Sequence, residues 1–242
     1  MKRNKYQFVY YFIVISIVLI SAVVSSFSRY IIQYSEYFAV STTDDLKSKR
    51  IIVLDAGHGG EDSGAVGIDG TLEKNLNLSL CLQIRDILEC YGCKVVLTRE
   101  DDRLMYSEDE NIKGKKKHYD LKNRYLTASG YDDAIFVSIH MNKYPIEKYK
   151  GVQVYYSKHN KESRNIAQSI QSNTMKYLQN ENSRQIKQAD GNIYLLDRLE
   201  CPAVLVECGF LSNWDECKNL NDSEYRKKLA LIISASLIEN IY

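Results

Sequence analysis

Two histidines and two glutamates in this sequence have the residue types and the neighbours expected of a hydrolytic metal site. His58 lies in a glycine-rich segment, Glu73 begins a helical pattern, and His140 ends an apolar run. Zinc in a hydrolytic site typically takes three protein ligands, often two His and one Glu, and keeps a fourth position for the water that it activates. Glu207, at the end of another apolar run, is then available to take that water's proton.

Each of these residues also has a simpler explanation when it is taken alone. His58 lies among glycines and is explained equally well as an exposed loop residue. His140 has the pattern of a hydrogen-bonded core histidine, and the helix dipole favours a carboxylate at Glu73 without any metal. Glu207 follows four apolar residues of a predicted buried strand, where a carboxylate needs a partner or a function. The four residues together favour a metal site.

Four ordered segments resemble the zinc-dependent N-acetylmuramoyl-L-alanine amidases of the Amidase_3 family. The segments are Asp55–Gly60, the helix start at Glu73, Ser138–Asn142 and Glu207–Asn213. The resemblance extends from about Ile51 to the C-terminus. Any one of these motifs is a weak signal, whereas four in the family's order are specific.

The resemblance implies a role for each matching residue. His58, Glu73 and His140 fall on the zinc ligands of the family, and Glu207 falls on its catalytic glutamate. The implied reaction is hydrolysis of the amide bond between N-acetylmuramic acid and L-alanine in peptidoglycan. Asn142 and Arg99 are candidates for substrate binding. The alternatives for each of these two residues are that it supports a metal ligand or that its role is purely structural. Arg124 falls where the family usually has a helical arginine.

Charge and length exclude some classes of protein. The chain has 242 residues and a formal net charge of +1, which argues against a general nucleic-acid binder because phosphate affinity needs a basic face. About 190 residues follow the N-terminal segment, enough for one domain with its own core. The basic run Lys113–His118 is predicted to be a solvated, mobile loop. An approach to anionic wall polymers or to a membrane surface is the alternative for this run.

The N-terminus is predicted to direct the domain across the cytoplasmic membrane. Lys2, Arg3 and Lys5 precede an uncharged, largely apolar stretch from Tyr6 to Ser28. Positive residues ahead of such a stretch keep that end in the cytoplasm, and its length favours an uncleaved anchor over a cleaved signal peptide. We therefore expect a signal-anchor or signal peptide at 1–30, a linker at 31–49 and an extracytoplasmic catalytic domain at 50–242.

The six cysteines do not indicate a redox or structural metal function. They are Cys81, Cys90, Cys93, Cys201, Cys208 and Cys217. Export alone does not make them pairs. The C-x-x-C of residues 90–93 lies at a predicted helix end, not at the helix start that lowers a thiol pKa, and a second C-x-x-C for a structural zinc site is absent. Cys208 is predicted to lie on the strand face opposite Glu207 and to pack in the core.

The patterning of apolar residues predicts a single α/β domain, with a mixed, mostly parallel sheet and helices on both faces. Strands are predicted at Ile51–Asp55, Lys94–Thr98, up to His140, Gly151–Ser157, Asn192–Leu196 and Ala203–Glu207. Helices are predicted from Leu72 to Tyr91, at Leu121–Ala128, Glu162–Leu178 and Glu224–Ile241. Ligand sites collect at the C-terminal ends of strands in such sheets, which is where His58 is expected.

No repeat or second domain is visible, so we expect an anchor and a catalytic domain only. Within the family this layout resembles the CwlD-type spore-cortex amidases, which remove the peptide from muramic acid so that muramic-δ-lactam can form. The expected partners are a peptidoglycan glycan strand with its stem peptide, an accessory protein and, through the N-terminal segment, the membrane. Three alternatives remain: a vegetative cell-separation amidase, a zinc-bound but inactive wall-binding protein, and a metal-dependent hydrolase of another bond such as an N-acetyl group.

Overall fold

The computed structural model describes residues 9–16, 21, 24–25 and 50–241. Contacts divide the chain into two compact units, 1–46 and 47–242. In the first unit, the described residues are helical. Among all described residues, no helix is both long enough and apolar enough to span a membrane. The signal-anchor or signal peptide predicted at 1–30 lies mostly outside the described residues, and the linker predicted at 31–49 lies wholly outside them, so both stay predictions.

A six-stranded sheet forms the centre of the second unit. Its strands are β1 (Ile51–Ala56), β2 (Lys94–Leu97), β3 (Ala134–Asn142), β4 (Gln153–Tyr156), β5 (Lys187–Gln188) and β6 (Ala203–Phe210). Their spatial order is β2-β1-β3-β6-β4-β5. The first four strands in this order are mutually parallel, whereas β4 is antiparallel to β6 and β5 pairs with β4 in parallel. The predicted mixed, mostly parallel sheet is confirmed.

Helices and turns cover both faces of this sheet. The α-helices of residues 50–241 are α1 (Glu73–Cys90), α2 (Lys116–Ser129), α3 (Lys161–Tyr177), α4 (Trp214–Asn221) and α5 (Ser223–Ile241). One apolar cluster joins one sheet face to α1, α3 and α5, and a second joins the other face to Ala128 of α2 and to residues 189–199. Successive strand residues point to opposite faces, so strands that are buried on both faces have continuous apolar sequences.

Two local predictions are wrong in ways that have a physical reason. Residues 192–196, predicted as a strand, form turns instead, with Asp197 N and Leu199 N donating to carbonyls of Ile193 and Leu195. Leu195 and Leu196 are buried in the second cluster, and such an apolar run looks the same in a strand or a packed turn. The basic run is not wholly a loop, because α2 begins within it at Lys116.

The topology brings the C-terminal ends of three strands to one edge of the sheet. β3 lies between β1 and β6 and is parallel to both, with Asp55 beside Ser138 and His140 beside Glu207. His58 follows the end of β1 by two residues. All of these residues therefore lie along the sheet edge where ligand sites collect in α/β folds.

Candidate metal centre

Three of the predicted site residues come together at this edge. His58 is in the loop after β1, Glu73 is the first residue of α1, and His140 lies near the end of β3. One ligand atom from each of the three lies within 4.8 Å of the others, and within the described residues no other group of three or more His, Cys, Asp or Glu side chains meets that distance. The three segments are far apart in sequence, so only the sheet topology brings them together.

Glu73 lies between the two histidines. Its Oε1 is 2.9 Å from His140 Nδ1 and 3.3 Å from His58 Nε2. Ligand atoms that are each about 2.0–2.1 Å from a tetrahedral zinc lie about 3.3–3.4 Å apart. The separation from His58 Nε2 matches this value, and the separation from His140 Nδ1 is shorter. Burial opposes the charge on Glu73, but hydrogen bonds and charges from both histidines hold its pKa well below the usual value.

Backbone amides hold the Glu73 carboxylate in place. Met141 N donates to Oε1 at 3.0 Å, and Ala65 N donates to Oε2 at 2.7 Å. The side chain is almost fully buried, so these hydrogen bonds compensate for the water that it loses. The carboxylate is therefore fixed toward the histidines by contacts from outside its own helix as well as within it.

His58 has an unusual backbone conformation and a carboxylate behind its ring. Its φ is +62°, the left-handed region, which costs a residue other than glycine about 1–2 kcal/mol. Asp62 Oδ2 lies 2.9 Å from Nδ1, which leaves Nε2 directed at Glu73. Burial lowers the pKa of His58, but hydrogen bonds and charges from Glu73 and Asp62 outweigh this effect and raise it.

Two glycines allow the loop to pass close to these side chains. A Cβ on Gly57 would overlap the His140 imidazole. A Cβ on Gly64, where φ is +65°, would overlap the Glu73 carboxylate and the His58 ring. The glycine content of this segment thus reflects close approach around the three side chains.

Glu207 lies beside His140 in the neighbouring strand. Its Oε2 is buried and has no hydrogen-bond partner among the described residues. Burial raises the pKa of Glu207 to about 7, with Glu73 adding to the shift while His140 and His58 oppose it. Glu207 is therefore able to exchange a proton near neutral pH.

The next residue, Cys208, packs in the core on the opposite face as predicted, and all six cysteines are free.

A cavity of about 480 Å³ opens over these groups. His58, His140 and Glu207 line one part of it, and Tyr155 and the turn segment 190–196 form another wall. A cavity of this volume accommodates a small-molecule group or part of a polymer chain. Residues 192–196 of this segment, predicted as a strand, thus form part of the cavity wall.

The two predicted substrate-binding residues lie in different settings. Arg99 is buried, does not line the cavity, and donates to four backbone carbonyls. Asn142 is half-buried at the end of β3, and its carbonyl accepts from Leu211 N at 2.8 Å. Substrate contact by either residue stays a prediction. The contacts of Arg99 are those of a residue that supports the backbone.

A buried ionic network under the site was not recognised in the sequence. Arg124 donates to Asp55 at 2.6 Å and to Asp120 at 2.9 Å, and Asp55 also accepts from the Thr98 and Ser138 hydroxyls. All of these side chains are almost fully buried. Asp55 and Arg124 are 69 residues apart, so no local pattern signals the pair. A charged residue at the end of an apolar strand was the one available clue.

Known proteins with the same architecture were found by sequence and by structure. The Amidase_3 family model, described as N-acetylmuramoyl-L-alanine amidase, matches residues 52–239. The germination-specific N-acetylmuramoyl-L-alanine amidase of Bacillus subtilis (strain 168) is 35% identical over 191 residues, which cover 79% of this chain and 79% of that protein. The CwlD amidase from Clostridioides difficile, solved in complex with the GerS lipoprotein, has a TM-score of 0.76 and 41% identity, covering 79% of this chain and 98% of that one. The catalytic domain of CwlV from Bacillus (Paenibacillus) polymyxa var. colistinus has a TM-score of 0.63 and 32% identity, covering 78% of this chain and 97% of that one.

Proposed function

The chain belongs to the Amidase_3 family of N-acetylmuramoyl-L-alanine amidases, and from this premise we propose that His58, Glu73 and His140 hold a zinc ion and that Glu207 is the catalytic acid–base. The observation that carries the proposal is the meeting of three ligand atoms within 4.8 Å, next to a buried carboxylate oxygen with no hydrogen-bond partner among the described residues. Two His and one Glu form a ligand set typical of hydrolytic zinc.

The reaction is hydrolysis of the amide bond between N-acetylmuramic acid and L-alanine. His58, Glu73 and His140 would hold the zinc ion, which would supply Lewis acidity and make water easier to deprotonate. Glu207 takes a proton from the attacking water and delivers it to the departing alanine nitrogen. Burial raises the pKa of Glu207 to about 7 in the metal-free protein, and a group that titrates near the working pH can both accept and donate a proton.

Asp62 is proposed to orient His58 from behind. Its Oδ2 lies 2.9 Å from Nδ1, and a carboxylate in this place fixes the tautomer that presents Nε2. We expect Asp62→Ala to weaken zinc binding about 10–100-fold, the usual effect of losing such a partner. Competition with a chromogenic chelator measures the dissociation constant. Asp86→Ala, at an exposed position on α1, is the matched control, and equal affinities in both variants would refute the role of Asp62.

The biological substrate is proposed to be spore-cortex peptidoglycan. The names of two relatives support this: one is a germination-specific amidase and the other is a CwlD amidase. Removal of whole peptides from muramic acid would then supply the substrate for muramic-δ-lactam formation. The vegetative cell-separation amidase remains the alternative, because it needs the same catalytic residues.

Deletion of the gene in its host tests the biological proposal. We expect cortex muropeptides without muramic-δ-lactam, together with vegetative cells that separate normally. Normal lactam content in the deletion strain, with chained and unseparated cells, would favour the vegetative role. Complementation with the wild type and with Glu207→Gln shows whether the phenotype depends on catalysis.

An extracytoplasmic location and an accessory protein complete the proposal. The relative from Clostridioides difficile was solved with the GerS lipoprotein, which supports a comparable partner for this chain. Lys2, Arg3 and Lys5 before an apolar stretch support export, with the N-terminal segment as the membrane contact. Fractionation of host cells tests this location, and catalytic domain in the cytosolic fraction would contradict it.

A further inference from the structure

Three consecutive backbone carbonyls, at the end of β1 and in the loop that presents His58, accept hydrogen bonds from buried side chains. Ala56 O accepts from Arg99 Nε at 2.9 Å and from Arg124 Nη1 at 2.7 Å. Gly57 O accepts from Asn77 Nδ2 at 3.0 Å and from Arg99 Nη2 at 3.1 Å. His58 O accepts from Arg124 Nη2 at 2.7 Å. We call Asn77, Arg99 and Arg124 the donor cluster. All three carbonyls are thus held by side chains from outside the loop.

The donor cluster is almost fully buried. Asn77, Arg99 and Arg124 are 0%, 1% and 2% exposed. Asp55 and Asp120 balance the charge of Arg124, whereas the hydrogen bonds of Arg99 go to carbonyls alone. Burial and the neighbouring Arg124 lower the pKa of Arg99. Burying a cation without a directly paired carboxylate is unfavourable. We infer that the fold tolerates this cost because Arg99 fixes the positions of the carbonyls to which it donates.

The donor cluster also links the His58 loop to the helix that carries Glu73. Arg99 Nη2 donates to Lys74 O at 2.8 Å, one residue after Glu73. Asn77 Nδ2 lies 3.3 Å from Glu73 Oε1 in addition to its contact with Gly57 O. The same side chains therefore contact the backbone or carboxylate of two of the three proposed metal ligands.

We propose that Asn77, Arg99 and Arg124 are positioning residues that hold the His58 loop in its metal-binding conformation before the metal arrives. The inference rests on the proposed zinc site. In it, Arg99 supports the backbone of the metal ligands and does not contact the substrate. The acceptors are main-chain carbonyls, so the contacts form without a metal ion. They stabilise the left-handed backbone of His58, which would otherwise be free to relax. A ligand that is already in position loses less conformational entropy on binding metal.

The dissociation constant of zinc for the metal-free protein tests this role. We expect Arg99→Lys and Arg124→Lys to bind zinc about 10–100-fold more weakly than wild type, measured by chelator competition. A lysine keeps the charge, but its single ammonium cannot bridge carbonyls that a planar guanidinium spans. Arg85→Lys, at a surface arginine paired with Asp86, is the control and should bind zinc like wild type. Circular dichroism of each metal-free variant reports whether it is folded.

Asn77→Ala provides a second variant in case a lysine at either buried position prevents folding. It removes the hydrogen bonds to Gly57 O and Glu73 without burying a charge. Because Arg99 still donates to Gly57 O, we expect zinc binding to weaken about 2–10-fold, the net contribution of one hydrogen bond. Folded variants that bind zinc as tightly as wild type, but unfold at lower urea, would show a purely structural role and overturn the inference. A wild-type protein that binds no zinc would instead refute the proposed function.

Discussion

Replacing His140 with alanine is expected to give a folded protein that holds little zinc and has no measurable amidase activity. His140 supplies one of three proposed ligand atoms, and its neighbours Ile139 and Met141 remain to pack the core. Losing one ligand should weaken zinc binding by more than the roughly 10–100-fold expected when only an orienting partner is lost. Elemental analysis after gel filtration should find about one zinc per chain in the wild type and a large deficit in the variant.

The matched control is His118→Ala, which removes an exposed histidine of α2. Its zinc content and activity should equal those of the wild type. Unchanged zinc in His140→Ala would show that His140 is not a ligand and would remove the basis for the metal centre. Loss of zinc from both histidine variants would point to a general instability of the protein.

The Glu207→Gln variant is expected to keep its zinc and to lose turnover by about 10²–10⁴-fold, the range typical of lost acid–base catalysis. Glutamine preserves the shape of the side chain in a buried position but cannot accept the proton of the attacking water. The buried Oε2 and the pKa of about 7 are the structural basis for this expectation. Steady-state turnover and zinc content, measured on the same preparation, separate catalysis from metal binding.

Glu200→Gln, at an exposed position, is the control for this substitution and should have wild-type turnover. Loss of zinc together with activity in Glu207→Gln would make Glu207 a fourth ligand. Full activity would assign it a structural role. Both results would require a different proton acceptor for the reaction.

The sequence predicts the central strands well because their signals are local. β1, β3 and β6 are buried on both faces and therefore have continuous apolar sequences, which the pattern detects. Glu73 in the first turn of α1 follows from helical periodicity. Parallel strands place their C-terminal ends at one edge, so the meeting of His58, His140 and Glu207 is a consequence of topology.

Other features depend on contacts that no local pattern encodes. The apolar run at residues 192–196 was read as a strand, yet its side chains pack against the sheet from a series of turns. The residues of the donor cluster are 20 to 68 positions from the carbonyls of residues 56–58 that they bind. Arg99 was a candidate for substrate binding, with support of a metal ligand or a structural role as the alternatives. The structure shows it buried and donating to backbone carbonyls under the site, contacts that no local sequence pattern indicates.

Digestion of purified peptidoglycan sacculi, followed by analysis of newly formed end groups, tests the central claim most directly. Cleavage between N-acetylmuramic acid and L-alanine frees L-alanine amino termini, cleavage of the glycan creates reducing ends, and deacetylation releases acetate. We expect free L-alanine amino termini as the only new product of the wild type, and none from His140→Ala. Reducing ends or acetate without L-alanine amino termini would contradict the assignment of this chain as an N-acetylmuramoyl-L-alanine amidase.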